Sequence, residues 1–287
     1  MRIVVTGSRG RLGAWLCDQF AARGDSVIGL DRHNVDLTDA KATRRLIVDA
    51  APEVVLHTAA WTDVDGCARE PERAVLHNGL AAGHVAKAAL AASARIISVS
   101  TNEVFDGTAT APYREYDPAA PANAYGYSKW VGEELTRAAN PDHTIVRTSW
   151  LFANEGKSFL AAILSAAISG KPLRVVTDET ASPTYAPDLA DALVLLTQTP
   201  VNGTLHFVNE GLCSRFELAR TLLDQAGLGD VPIEPILSKD WPRPSTPPRY
   251  SPLTNQIGTL VGIRLRSWQE AVSAYVAFQR KPGGHLA

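Results

Sequence analysis

Two side chains four residues apart define the chemistry open to this sequence. Tyr125 and Lys129, in Tyr125-Gly126-Tyr127-Ser128-Lys129, bring a phenol and an ammonium to one face of a helix. A phenol can give a proton to a carbonyl oxygen, while a nearby cation favours its ionisation and can hold a nicotinamide ribose. Seven tyrosines and seven lysines would produce about 0.2 such spacings by chance, so the pair needs supporting context. Upstream, Ser98-Val99-Ser100-Thr101 ends a β-branched run in hydroxyls, and Thr101 would donate to the same oxygen. Supplied with a hydride from nicotinamide, Thr101, Tyr125 and Lys129 make a catalytic set for carbonyl reduction.

A site for that cofactor opens the chain. Gly7-Ser8-Arg9-Gly10-Arg11-Leu12-Gly13 follows a strand-like run and leads into a helix, and each glycine has a reason. Positive φ, close approach of backbone amides to a pyrophosphate, and tight helix-on-strand packing all require the missing side chain. Asp31, about twenty residues on, can accept from a ribose 2′-hydroxyl, which favours NAD. Arg32, Arg9 and Arg11 can instead pair with a 2′-phosphate, and the balance leans to NADPH with NADH tolerated. Asp36 and Leu37 are expected at the adenine, and the small side chains of Ala59 and Ala60 allow close cofactor approach.

The elements that must position these groups alternate along the first half. Runs at 3–6, 26–31, 53–57, 95–100 and 143–148 read as strands, and 12–23, 40–50, 72–91 and 125–138 as helices long enough to cross a parallel sheet. This pattern predicts an α/β fold, a doubly wound parallel sheet of Rossmann type. Residues 1–149 are expected to form the dinucleotide-binding domain. Residues 150–287 then form mainly a smaller, discontinuous C-terminal substrate lobe, with about 170–200 and 250–268 returning to the first domain. In that half 158–169, 187–196, 214–225 and 267–278 read as helix and 204–208 as strand. Pro242, Pro244, Pro247, Pro248 and Pro252 mark an ordered or lid-like loop, and 281–287 a frayed tail.

On these motifs the chain resembles the extended short-chain dehydrogenase/reductases, and within them the dTDP-4-dehydrorhamnose reductase family. The similarity also takes in Thr58-Ala59-Ala60-Trp61-Thr62-Asp63-Val64-Asp65, Phe105-Asp106-Gly107, Arg147-Thr148-Ser149-Trp150 and Ser182-Pro183-Thr184. The resemblance implies NAD(P)H-dependent reduction of the 4-keto group of a nucleotide-linked 6-deoxy sugar, dTDP-4-dehydro-L-rhamnose to dTDP-L-rhamnose. It implies that Thr101, Tyr125 and Lys129 are the catalytic triad, that Thr62, Val64 and Trp150 touch the sugar nucleotide, and that Asn78 helps build the active-site helix.

The chain departs from the family in places. Asn102-Glu103 replaces the usual Asp-Tyr, Ser158 the usual Asn, and Pro247-Pro248-Arg249-Tyr250-Ser251 blurs an Arg-Pro loop. Glu103 thereby offers an acceptor-only carboxylate to the sugar end. Three rival readings follow. Thr101-Asn102-Glu103 is similar to the Thr-Asp-Glu of sugar nucleotide 4,6-dehydratases, although Asn102 cannot be their acid, and related folds serve as epimerases or as non-catalytic nucleotide-binding regulatory subunits.

Composition narrows the partners. A net charge of −2 gives no broad attraction to nucleic acid or to an anionic membrane. Cys17, Cys67 and Cys213 lack the spacing of a disulfide framework or zinc site, so a reduced, cytoplasmic protein with no assigned metal is expected. No apolar run approaches the length of a membrane span. A nucleotide-sugar substrate is the expected partner, and a homodimer is compatible with the sequence.

Overall fold

The computed structural model describes residues 1–286. Strands β1 (Arg2–Thr6), β2 (Ser26–Leu30), β3 (Val54–His57), β4 (Arg95–Thr101) and β5 (His143–Thr148) pair in parallel, and Gly203–His206 adds a sixth beyond β5. Their order is Gly203–His206, β5, β4, β3, β1, β2. The reversal between β1 and β3 opens a crevice at the carboxyl edge of the sheet, where ligands bind in doubly wound folds.

Alternation along β1 shows how both faces are filled. Ile3 and Val5 point into a core with Leu16 and Phe20 of helix α1 (Gly13–Ala22), joined by Leu189 and Leu193 of helix Ala186–Thr197. Val4 points the other way, into a core with Ile47 of helix α2 (Ala40–Ala50) and with Val85 and Ala89 of helix Ala81–Ala91. Burying each large aliphatic group contributes roughly 1.5–3 kcal/mol, so the period-two pattern fixes the register of the strand against both layers.

A separate core lies beyond β5, built on Phe152, Leu160, Leu164, Leu218, Leu222, Trp268 and Tyr275. Ile257, Ile263 and Leu265 pack with the first core, as does Leu205 of the sixth strand. Leu173 and Val175 belong to the second core, because Leu173–Val176 pairs with Ile233–Ile236.

Several local readings change in the structure. Asp31 falls just past β2, and β4 runs through Thr101. The single helix expected over 72–91 is instead α-helical over Pro71–Ala74, π-helical over Val75–Leu80 and α-helical again over Ala81–Ala91. The wider turn lets Asn78 face away from its own helix. The expected frayed tail is tied down as far as it is described: the Leu286 amide donates to Gln279 O at 2.9 Å, and the His285 amide donates to the Gln279 side chain at 3.1 Å. Ala287 lies outside the described residues. The proline-rich segment is ordered by the parallel bridges Tyr250 to Thr180 and Leu253 to Tyr113.

Candidate active site

The turn after β1 can only be built from glycine at its ends. Gly7 has φ +71°, and a Cβ there would come within 2.8 Å of the Ala59 backbone. A Cβ on Gly13 would lie 2.2 Å from Gly7 O. The Gly7 and Ser8 amides donate to Leu30 O at 2.7 and 3.2 Å, which fixes the turn beside the end of β2. The first turn of α1 is left facing the crevice with its amides, a cradle suited to a pyrophosphate.

Arg9 and Arg11 leave this turn in opposite directions. Arg9 Nε lies 2.7 Å from Asp31 Oδ2, and Asp31 Oδ1 accepts from the His33 amide at 2.7 Å. That amide, followed by the Arg9 charge, holds the Asp31 carboxyl below its ordinary range, so it is ionised at neutral pH. Arg11 instead reaches across the cleft, its Nη1 donating to Leu151 O at 3.1 Å and Lys157 O at 3.3 Å. In that position it is turned away from Asp31 and Arg32, the end where a 2′-phosphate was expected to meet it.

The crevice has a volume of about 980 Å³, and its lining includes every residue singled out from the sequence for cofactor, substrate or chemistry. Tyr125 and Lys129 enter it from helix Ala124–Ala139, whose first turn is capped by Asn123, with Oδ1 accepting from the Gly126 amide at 2.8 Å. Gly126 brings this helix so close to Glu103 that a Cβ would fall 1.9 Å from Glu103 O. Asn78 docks the helix from the other side: its Nδ2 donates to Ser128 Oγ at 2.9 Å, and its Oδ1 accepts from the Trp61 amide at 2.7 Å. Lys129 Nζ donates to Val99 O at 2.8 Å, two residues before Thr101.

Burial raises the Tyr125 phenol above its ordinary value; Glu103 and Cys67 add to the rise, while a hydrogen bond with Thr101 and the charge of Arg11 oppose it. The phenol therefore stands protonated at neutral pH, the form a proton donor requires. Burial pushes Lys129 down to about 8, with Glu133 opposing, which leaves it largely charged at neutral pH.

Glu103 is half-buried rather than turned to water, and its Oε2 accepts from Asn123 Nδ2 at 2.7 Å. Burial raises its carboxyl, against the Asn123 hydrogen bond and the charges of Arg215 and Arg243. Its neighbour Asn102 is spent on the frame: Nδ2 donates to Ser251 Oγ at 2.7 Å, and Oδ1 accepts from Thr101 at 3.3 Å.

Sequence reasoning missed Arg215. Its guanidinium lies 3.6 Å from the centroid of the Trp150 ring and 5.1 Å from that of Phe159, with Glu179 3.6 Å away. Its position at the start of helix Arg215–Ala226, in the second lobe, gave no motif to find it by. Arg215 and Phe159 also border a second cavity of about 510 Å³ lined by Arg174, Lys239, Arg243 and Arg249. The two cavities thus join a hydroxyl-rich reaction end to a basic pocket, an arrangement that fits a polar ring linked to an anion. Among the described residues, no group of three or more His, Cys, Asp and Glu side chains is placed to hold a metal ion.

Residues 1–280 match the family model described as the RmlD substrate binding domain. A dTDP-4-dehydrorhamnose reductase of Mycolicibacterium smegmatis is 38% identical over 280 residues, covering 96% of this chain and 85% of that protein. A solved structure of a dTDP-4-dehydrorhamnose reductase from Clostridium acetobutylicum superposes with a TM-score of 0.95 at 32% identity, over 98% of this chain and 100% of that one. Another, from Bacillus anthracis in complex with NADP, gives a TM-score of 0.93 at 30% identity, over 96% and 98%.

Proposed function

This chain belongs to the RmlD substrate-binding domain family, and from that premise we propose that it reduces the 4-keto group of dTDP-4-dehydro-L-rhamnose with NADPH to give dTDP-L-rhamnose. The observation that carries this reading is the placement of Thr101, Tyr125 and Lys129 on one cleft with the glycine turn, beside a basic cavity able to take a nucleoside diphosphate. The relative from Bacillus anthracis was solved with NADP. The amides of the first turn of α1, just after the glycine turn, suit the same dinucleotide here.

NADPH, when bound, supplies the hydride. The rest falls to the chain. Thr101, whose hydroxyl turns from Asn102 Oδ1 to the substrate, and Tyr125 polarise the ketone oxygen, and Tyr125 delivers the proton that turns the alkoxide into a hydroxyl. Lys129, anchored on Val99 O, keeps a positive charge beside them and offers its remaining donors to the ribose. Arg243 and Arg249 face the diphosphate, and Trp150 offers its ring at the junction. Glu103 lies between the two ends and accepts from a sugar hydroxyl. Asn102, an amide bound to Ser251, removes the acid a dehydratase would need.

The direct test follows the loss of NADPH absorbance with dTDP-4-dehydro-L-rhamnose; absence of turnover with this and related 4-keto sugar nucleotides would return the chain to a binding role. In the same assay Glu103→Tyr should alter the kcat/KM ratio between substrates differing at C2 or C3 by about tenfold or more, since a hydroxyl bonded to a charged acceptor contributes roughly 1.5–3 kcal/mol. Unchanged ratios make Glu103 a bystander.

Arg32 borders the cleft beside Asp31 and is free of that carboxylate, which Arg9 holds. Arg32→Ala should therefore weaken NADPH about tenfold more than NADH, one charge-assisted pair being worth roughly 1.5–3 kcal/mol before solvent screening. Calorimetry showing equal losses for the two would remove Arg32 from the 2′-phosphate.

A further inference from the structure

Arg11 makes a connection that its place in a cofactor turn does not require. From between the second and third glycines its side chain crosses to the far lobe, and one nitrogen, Nη1, collects two carbonyls six residues apart, Leu151 O and Lys157 O. That closes the 151–157 segment into a loop around the guanidinium. Gly156, at φ +81°, gives the segment a left-handed turn that a side chain would strain, and it passes the Arg11 stem at ordinary contact distance.

The segment so held begins at a stressed point. Trp150 has φ +41°, a left-handed conformation that a bulky residue adopts only when its surroundings impose it. It turns the chain out of β5 into Leu151–Phe152, which pairs with Thr184–Tyr185 in the second lobe. The Trp150 ring stacks with Arg215 at the junction of the two cavities. Whatever fixes 151–157 therefore fixes the aromatic wall of the sugar-nucleotide end.

A guanidinium has five N–H donors, and the Nη1 corner accounts for both of these bonds. Arg11 lines the same cleft as the glycine turn, where a pyrophosphate would lie, and its other donors are left for that anion. We propose that Arg11 is a positioning residue that couples the two ligands: an anion at the glycine turn fixes its guanidinium, the guanidinium fixes the 151–157 segment behind Trp150, and a nucleoside diphosphate then binds more tightly. The second ligand gains because the first has already ordered the wall it needs. This inference rests on the dinucleotide and nucleotide-sugar reading above.

Calorimetry with NADP⁺ and dTDP tests it without turnover. The wild-type protein should bind dTDP about tenfold more tightly when saturated with NADP⁺, and Arg11→Gln should shrink that gain to about twofold or less. Arg11→Lys, with a single donor group, should fall between. Hydrogen exchange supplies a second readout: NADP⁺ should slow the 151–157 amides in the wild type and leave them fast in Arg11→Gln. An undiminished gain in Arg11→Gln, equal slowing in both proteins, or no gain in a wild type that binds both ligands would overturn the coupling. A wild type that does not bind dTDP overturns the nucleotide-sugar reading, and this inference with it.

Discussion

Tyr125→Phe is expected to lower kcat/KM for the 4-keto sugar nucleotide by about 10²–10⁴, with NADP⁺ and dTDP affinities within about twofold of wild type. The substitution deletes one oxygen from a ring whose packing survives, so the loss reports the proton transfer itself. No neighbour takes over. The Cys67 thiol donates to Trp61 O at 3.6 Å and is not among the residues that line the cleft, and an aliphatic hydroxyl such as Thr101 is a far weaker acid than a phenol. The pH profile gives the complementary sign. Lys129, pushed down to about 8 by burial, loses its charge as pH rises through that value, so kcat/KM should fall on the alkaline side and Lys129→Arg should move that limb upward. A profile flat to about pH 9 would deny the ammonium its role, and a fully active Tyr125→Phe would remove the proton donor proposed here.

The parts legible in the sequence are those in which residue type answers a local constraint. Gly7 and Gly13 are demanded by backbone contacts a few residues away or across one strand, and Tyr125 and Lys129 share a helix face by spacing alone. Both cores of the sheet follow from the alternation in β1. What stayed hidden depends on distant partners. Arg11 looks like another cofactor arginine until tertiary structure offers it carbonyls at 151 and 157. By spacing Asn78 is one position in a continuous helix, its part in the active-site helix coming only from the resemblance, and the π-turn that presents it answers the Trp61 backbone and Ser128. Arg215 arrives from a lobe whose pattern loosens after Trp150, so nothing nearby marks it. Side-chain direction, more than element type, is the quantity that spacing fails to encode.

A second large effect is expected from a pair that touches no ligand. Arg147→Met should lower the unfolding free energy by about 3 kcal/mol, the low end of the cost of breaking a buried ion pair. On β5, Arg147 Nε and Nη2 donate to the two oxygens of Glu133 at 2.9 and 2.7 Å, and both side chains are nearly inaccessible, at 4% and 1%. Ser100 Oγ donates to the same carboxylate at 2.6 Å and Arg137 Nη2 at 3.0 Å, so some partners remain and the loss stays at the low end. Burial alone would raise Glu133, but Arg147 and then Ser100 outweigh it and the carboxyl ends below its ordinary range. A depressed carboxyl stabilises the fold above its unfolded value and loses that contribution as pH falls through the folded one. Acid unfolding of Arg147→Met should therefore begin at higher pH than in the wild type. Adding Glu133→Leu to Arg147→Met should restore part of the stability, because it removes the charge left without its partner. Denaturant titrations in which Arg147→Met costs less than about 1 kcal/mol, or in which the double variant loses the sum of both single changes, would show that the pair is not the unit described. The same pair reaches the chemistry through helix register. Glu133 lies one turn after Lys129, and the two dock on adjacent residues of β4, Ser100 and Val99, so loosening one anchor loosens the ammonium that serves Tyr125.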